Sequence, residues 1–206
     1  MGNVSCQISM SLDGYVAGPE QSRQDPLGRD GLRLHEWFFG LSDLPEGDPR
    51  GVDVAVVEEM TRDVGAYVMG RRMFGDGGGR WDPQWQGWWG DEPPWGVPVY
   101  VLTRQVREPL VMKGGTEFHF VTDGPRAALA RAREVAGERN VSVAGGAETV
   151  RQFLAAGLLD TLQLHVVPIV LGAGEPLFAG LGDVRLVQES VVAGPTVTHV
   201  TYRVRR

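Results

Sequence analysis

Three strand ends in this chain carry residue types that could hold anions. Val141-Ser142-Val143-Ala144-Gly145-Gly146-Ala147-Glu148 reads as a buried strand, a glycine pair and a helix start. Glycine lets backbone approach a ligand without Cβ interference. The free N–H groups of a helix start favour an anion such as a pyrophosphate. The segment Ala66 to Phe74 repeats the pattern, with Gly70 after the strand and Arg71 and Arg72 at the anion-binding end. A third strand, Val99 to Thr103, ends in a hydroxyl and a guanidinium, those of Thr103 and Arg104. Guanidinium forks suit phosphate oxygens. Together the three ends could hold a pyrophosphate at the glycines and an extra phosphate at the arginines, which selects a phosphorylated dinucleotide over the plain form. Each arginine taken singly could simply face solvent, and glycine also serves strand–helix turns for structural reasons alone.

The elements that must position these ends can be read from periodicity. Val4 to Leu12 alternates as a first strand and stops at the turn signal Asp13-Gly14. Residues 18 to 50 are rich in Gly, Pro and Asp and form a long loop with a short helical piece at Leu32 to Leu41. Asp48-Pro49 offers a helix cap and a proline at the first helical position. Val52, Val56, Met60 and Val64 then repeat every fourth residue, as on an amphipathic helix. After the irregular stretch 75–98, with its Gly77-Gly78-Gly79 run, strands are expected at 99–103 and 117–122. A helix capped by Asp123 follows to Ala136, then a strand at 141–144 and a helix from Ala147 to Ala156. Thr161 to Val170 is a β-branched strand, and strands near 184–192 and 196–205 meet at Gly194-Pro195. Alternating strands and helices with a closing hairpin predict an α/β fold on a mixed, mostly parallel sheet with an antiparallel edge. No repeat or linker divides the chain, so one domain over 1–206 is expected.

These pieces resemble a known family. Met69-Gly70-Arg71-Arg72, Val101-Leu102-Thr103-Arg104, Val143-Ala144-Gly145-Gly146 and Leu159 to Pro168 stand in the order and spacing of dihydrofolate reductase. Ser11 to Gly18 and Leu171 to Phe178 are more similar to the reductase half of the bifunctional riboflavin-biosynthesis deaminase/reductase. The resemblance implies a three-layer α/β/α dihydrofolate-reductase-like fold, NADPH as cofactor and a homodimer. By motif, Arg71, Arg72, Thr103 and Arg104 would surround the adenosine 2′-phosphate, with Arg72 also near the pyrophosphate, and Gly70 would be a further cofactor-binding residue. Gly145, Gly146, Ala147 and Glu148 would line the pyrophosphate and nicotinamide ribose, and Ser9, Val16 and Ala17 would sit by the nicotinamide. The implied activity is hydride transfer to a small heterocyclic or imine/carbonyl substrate, with reduction of a ribosylaminopyrimidine the nearest named reaction. The usual deaminase half is missing from the chain, and the early loop lacks the Pro-Trp signature of folate reduction. A non-catalytic dimeric ligand-binding module on the same fold is the rival.

Reduction of C=N or C=O also needs a proton source. On a helical wheel Asp53 falls inside the apolar stripe and Glu58 outside it. Desolvation would raise the pKa of such an acid, and the family places its proton-relay acid on the corresponding helix. Asp53 is therefore the candidate catalytic residue. Its competing role is to offset the helix dipole, Asp13 is the alternative acid, and water is the third source. His165 lies in an apolar strand and reads as a core or interface histidine. Trp81, Trp85, Trp88, Trp89 and Trp95 crowd one Gly/Pro-rich loop, which could roof a planar substrate, anchor itself to the body or bury at a dimer interface.

Composition excludes other classes. A net charge of −6 and an acidic tryptophan loop argue against nucleic acid. One cysteine and four scattered histidines give no metal-ligand spacing. The absence of an apolar run of about 18 residues and of a signal-peptide pattern makes the cytoplasm the expected location. Neither the Gly-x-Gly-x-x-Gly fingerprint nor a P-loop is present.

Overall fold

Alternation along the first strand sets the layers. Val4–Ser11 (β1) sends Val4, Cys6, Ile8 and Met10 to one side and Ser5, Gln7, Ser9 and Ser11 to the other. The computed structural model describes residues 2–75 and 79–205, so Gly77 and Gly78 lie outside the described residues. After β1 come a 3-10 helix, Gly31–Phe38, and α1, Gly51–Thr61. Then follow β2 (Val64–Gly70), α2 (Arg71–Phe74), β3 (Pro98–Leu102), β4 (Leu110–Val111), β5 (Glu117–Val121) and α3 (Pro125–Ala136). The chain closes with β6 (Asn140–Gly145), α4 (Ala147–Ala155), β7 (Thr161–Val167), β8 (Arg185–Ala193) and β9 (Thr198–Arg205).

These strands form one nine-stranded sheet in the order β4-β5-β3-β2-β6-β1-β7-β9-β8. The run from β5 to β7 is parallel, and β9 and β8 add an antiparallel hairpin. The mixed, mostly parallel α/β architecture is thus as expected; the two-residue β4, antiparallel at the opposite edge, was not foreseen.

The Val4/Cys6 side packs under α3 and α4, where Ala128, Ala132, Val150 and Phe153 join Val68, Val143 and Leu162 in the main core. Burying a side chain such as Phe153 stabilises by ~1.5–3 kcal/mol. The opposite side carries two smaller clusters. Over β2, β3 and β5, four of the loop tryptophans pack on Tyr67, Met69, Phe74, Val99 and Phe118. Over β7 and β9, Leu34 and Trp37 of the 3-10 helix pack with Val167, Val197 and Val57 of α1. Between them β6 and β1 present a polar lane that includes Ser142, Ser5, Gln7 and Ser9. The tryptophan loop therefore anchors itself as part of the third layer: Trp85 donates to the Phe74 carbonyl (3.1 Å), and Arg107 lies over the rings of Phe74, Trp81 and Phe120.

Several boundaries differ from expectation. The first helix begins at Gly51, because the Asp48 carboxylate is used in a clasp on Arg50, accepting its backbone N–H (2.8 Å) and its guanidinium (3.0 Å). It ends at Thr61, because Asp63 takes a left-handed φ of 58° and turns the chain into β2, leaving Val64 on a strand. Asp123 pairs with Arg131 (2.7 Å) instead of capping α3, whose cap position is Gly124. β7 stops at Val167, since Pro168 offers no N–H to continue a ladder.

Candidate active site

The register puts the three anion-type strand ends side by side. Gly70 of β2 is paired with Leu102 of β3, and Met69 of β2 with Gly145 of β6. Gly70, Thr103 and Gly145 therefore share one edge, at the carboxyl ends of adjacent parallel strands. Packing explains the glycines. A Cβ on Gly70 would lie 2.4 Å from Oγ1 of Thr149, in the first turn of α4. Gly145 has a φ of 120°, open to glycine alone. Gly146, joined to it by a cis peptide, has open space where a side chain would stand. Among the described residues no side chain caps α4 at Gly146. Ala147 is buried in the main core, so it offers backbone only to this edge, whereas Glu148 is exposed.

The arginines are already engaged. The Arg71 guanidinium carbon lies over Trp81, 3.9 Å from the ring centroid, and Arg71 donates to the Gly79 carbonyl at 2.6 Å. Gln105 ties that carbonyl to the third strand end: its amide Nε2 donates to Gly79, and its backbone N–H donates to Oγ1 of Thr103 (3.1 Å). Arg104 is exposed in the turn that follows. An open cleft of about 540 Å³ borders Trp81, Gln105, Arg80 and Val106. Arg72 reaches Glu175 at 3.3 Å and borders a second cleft of about 280 Å³ with Gln21, Ser22, Pro26 and Trp88. Arg151 bridges Glu175 (2.8 Å) and Glu148 (2.9 Å) and also donates to the Pro176 carbonyl. The Gln152 amide and the Arg151 guanidinium hold the Glu148 carboxyl below the usual carboxylate range.

Val16 and Ala17 are buried beside this group. The segment 14–17 runs antiparallel to 174–177, with Val16 N–H donating to Glu175 (3.0 Å) and Glu175 N–H donating to Ala17 (2.9 Å). Asp13 clamps the same junction, accepting from the Ser11 hydroxyl (2.6 Å) and from the N–H groups of Leu171 and Gly172. Those bonds, the Ser11 one first, hold its carboxyl below the ordinary value. It is a turn residue committed to its turn.

Ser9, where the polar lane meets β7, and Asp53 belong to a second constellation. Ser9, 4% exposed, accepts a hydrogen bond from Trp37 Nε1 at 3.0 Å and sits opposite His165 in the register of β1 and β7. His165 pairs in turn with His199 of β9. Asp53 is 0% exposed, with Oδ1 3.0 Å from His199 Nε2 and Oδ2 buried without a partner. His199 Nδ1 lies 2.7 Å from His165 Nδ1, and His165 Nε2 is buried and unpartnered. The Trp37 ring covers both imidazoles, at 4.8 and 5.1 Å between centroids. Burial, then the nearby His199 and His35, push His165 down to about 3, so it stays neutral. Of these residues the sequence had shown only Asp53 and Ser9 as candidates. His199, Trp37, Arg151 and Glu175 were missed. A signal existed in the Gly194-Pro195 turn, whose hairpin forces His199 onto the polar phase of β9.

The chain and its fold are similar to known proteins. The family model of the RibD C-terminal domain fits residues 3–200. The chain belongs to that family. The RibD C-terminal domain family is one of reductases of riboflavin-biosynthesis type, which makes the protein an oxidoreductase by family. The uncharacterized protein YwjB of Bacillus subtilis is 42% identical over 59 residues, 29% of this chain and 33% of that protein; the match spans about a third of that relative. Among solved structures, a protein ascribed to riboflavin biosynthesis in Shewanella sp. PV-4 is similar with a TM-score of 0.63 at 23% identity, covering 100% of both chains. The riboflavin biosynthesis reductase of Saccharomyces cerevisiae gives 0.56 at 16%, over 100% of this chain and 89% of that one. Dihydrofolate reductase from Enterococcus faecalis, complexed with NADP(H), gives 0.54 at 16%, over 100% and 98%. At those identities the structures establish the fold, and this RibD C-terminal domain has the dihydrofolate-reductase-like one.

Proposed function

We propose that the protein is an NADPH-dependent reductase that delivers hydride to a small heterocyclic or imine/carbonyl substrate, the nearest named activity being 5-amino-6-(5-phosphoribosylamino)uracil reduction. The observation that carries this reading is the alignment of Gly70, Thr103 and Gly145 on one edge of three adjacent parallel strands. The edge fits a phosphorylated dinucleotide. Open space over Gly146 and an uncapped helix start suit a pyrophosphate, and Arg71, Arg72, Thr103 and Arg104, which follow two neighbouring strand ends, would supply the contacts to a 2′-phosphate. Gly145, Gly146, Ala147 and Glu148 would hold the pyrophosphate and ribose, and Ser9, Val16 and Ala17 the nicotinamide. When bound, the cofactor supplies the hydride.

The protein's own residues orient and exclude water. Glu175 keeps Arg72 at the rim and buttresses Arg151, so a phosphate arriving there replaces a carboxylate partner and leaves no guanidinium stranded. The polar lane of β1 and β6, with Gln7 Oε1 and Ser142 Oγ buried and unpartnered, offers hydrogen-bonding atoms to a flat polar ring.

Tryptophan fluorescence under titration with NADPH and NADH tests the cofactor. Saturable, NADPH-selective quenching is expected, and no response to either would sink the reading. Arg71→Ala and Arg104→Ala should weaken NADPH far more than NADH; unchanged selectivity in both would refute the 2′-phosphate assignment. NADPH oxidation against a panel of pterins, pyrimidines and imines then selects the substrate.

A further inference from the structure

We propose that Asp53, His199 and His165 form a buried proton relay whose outlet is Nε2 of His165, beside Ser9 and beneath the Trp37 indole. The proposal rests on the reading that Ser9 lies beside the hydride donor. It changes the role of Asp53, which is enclosed on all sides and becomes the store of the proton, with His165 the group that delivers it.

The geometry requires a directional chain. Each contact, 2.7 Å between the two Nδ1 atoms and 3.0 Å between His199 Nε2 and Asp53 Oδ1, holds one hydrogen that one side must donate. With Asp53 ionised and both rings neutral, His199 Nε2–H donates to the carboxylate. Its Nδ1 must then accept, so His165 donates from Nδ1 and its Nε2 is left as a bare lone pair. That atom is one of those buried without a hydrogen-bond partner among the described residues. A proton arriving at this lone pair reverses every bond. N–H forms at His165 Nε2 as His165 Nδ1–H breaks; that proton passes to His199 Nδ1 as His199 Nε2–H breaks; and the last proton bonds to Asp53 Oδ1. Three bonds to hydrogen form, two break, and the incoming proton accounts for the difference. Both states keep both hydrogen bonds, so the chain has two matched arrangements and no broken intermediate.

Burial favours this route over a stored imidazolium. His165 and His199 are 3% and 1% exposed among Leu34, Trp37, Val167 and Val197. A charge on His165 would be disfavoured by desolvation and by His199 and His35. The relay instead passes the proton along the two hydrogen bonds, so His165 need not hold a charge. Arg50, in the turn before α1, feels the charge of Asp53. A reduced nicotinamide, when bound, would supply hydride to a C=N or C=O carbon, and the rest of the step is the proton's. The π electrons move onto nitrogen or oxygen, that atom takes the proton from His165 Nε2, and the chain returns to the state with Asp53 ionised. Solvent supplies the next proton.

Asp53, His199 and His165 are linked in the protein without any ligand, so the test needs none. Side-chain ¹⁵N spectra of the histidines, recorded from pH 9 to pH 4, should show His165 changing from the Nδ1–H to the Nε2–H tautomer. The Asp53 carboxyl ¹³C signal should move with the same midpoint, and His165 should never show the imidazolium pattern. Asp53→Asn, which keeps the shape, should freeze His165 in one tautomer at every pH. A single unchanging tautomer in the unmodified protein, or its titration to imidazolium, overturns the relay. With a substrate in hand, His199→Gln should lower kcat by ~10²-fold or more with KM little changed. Equal kcat would also overturn it. Failure of NADPH to bind while His165 still switches would remove the reductase reading and leave the relay standing.

Discussion

Gly194 forms the wall behind the Asp53 carboxyl, and filling it would break the constellation without altering any member. A Cβ at this position would lie 2.1 Å from Asp53 Oδ1 and 3.0 Å from both Asp53 Cγ and the Val197 carbonyl. The oxygen must withdraw by about 1 Å or the turn must shift, and nothing around a fully buried carboxyl yields easily. Overpacking of this kind costs ~1–3 kcal/mol. Loss of the bond to His199 adds ~1–3 kcal/mol. For a chain of this size each kcal/mol lowers Tm by ~2–4 °C, so Gly194→Ala should melt ~5–20 °C lower in a calorimetric scan. The sign is informative. Gly194 is not in a left-handed conformation, and a strain-free Gly→Ala change normally stabilises by ~0.4–1 kcal/mol. In an Asp53→Ala background the penalty should vanish. An unchanged or raised Tm in the otherwise unmodified protein would refute the packing argument.

Acid should weaken the fold through His165. Its folded pKa lies below the unfolded value, so the unfolded chain binds the extra proton. Stability is then full above about pH 6.5 and is lost as pH falls toward 3; urea unfolding from pH 8 to 5 should show a decline of at most ~1.4 kcal/mol per pH unit from this group, reduced in His165→Gln. The buried Cys6 thiol, pushed up to about 12 by desolvation, should resist a thiol reagent at pH 8 until the protein unfolds. Gly70→Ala should destabilise by ~1–3 kcal/mol by striking Thr149 Oγ1; Thr149→Ala should recover much of that, and additive effects in the double mutant would show that the contact is not the cause.

What could be read from the sequence divides along the range of the interactions. The strand ends at Gly70, Thr103 and Gly145 are local patterns, a short apolar run followed by a glycine or a hydroxyl residue, and they stand where periodicity put them. Asp53 was legible as buried because one helix carries its own apolar stripe. Its partners were not. His165 and His199 are 34 residues apart, and only the register of β7 on β9 makes them neighbours. The first helix was drawn too long because Val64 continues its fourfold spacing, although the strand pairing of Val64 with Asn140 takes precedence. The tryptophan loop offered three roles from composition alone, and Gly75, whose side-chain space is filled by Trp85 and Trp88, shows how tightly it folds back.

The place of β1 in the sheet has a consequence for how the protein is made. Its two neighbours are β6 and β7, and Asn3 reaches Asn140 across 137 residues. At translation rates of ~5–20 residues per second, the ribosome needs roughly six to twenty-seven seconds after synthesising β1 before it has made β6. Through that interval the nascent chain carries Val4, Cys6, Ile8 and Met10 with nothing to cover them. This interior strand is therefore made before all the others of the sheet and is among the last to pair, and chaperone supply during synthesis should govern the yield of folded protein more than the stability of the finished sheet does.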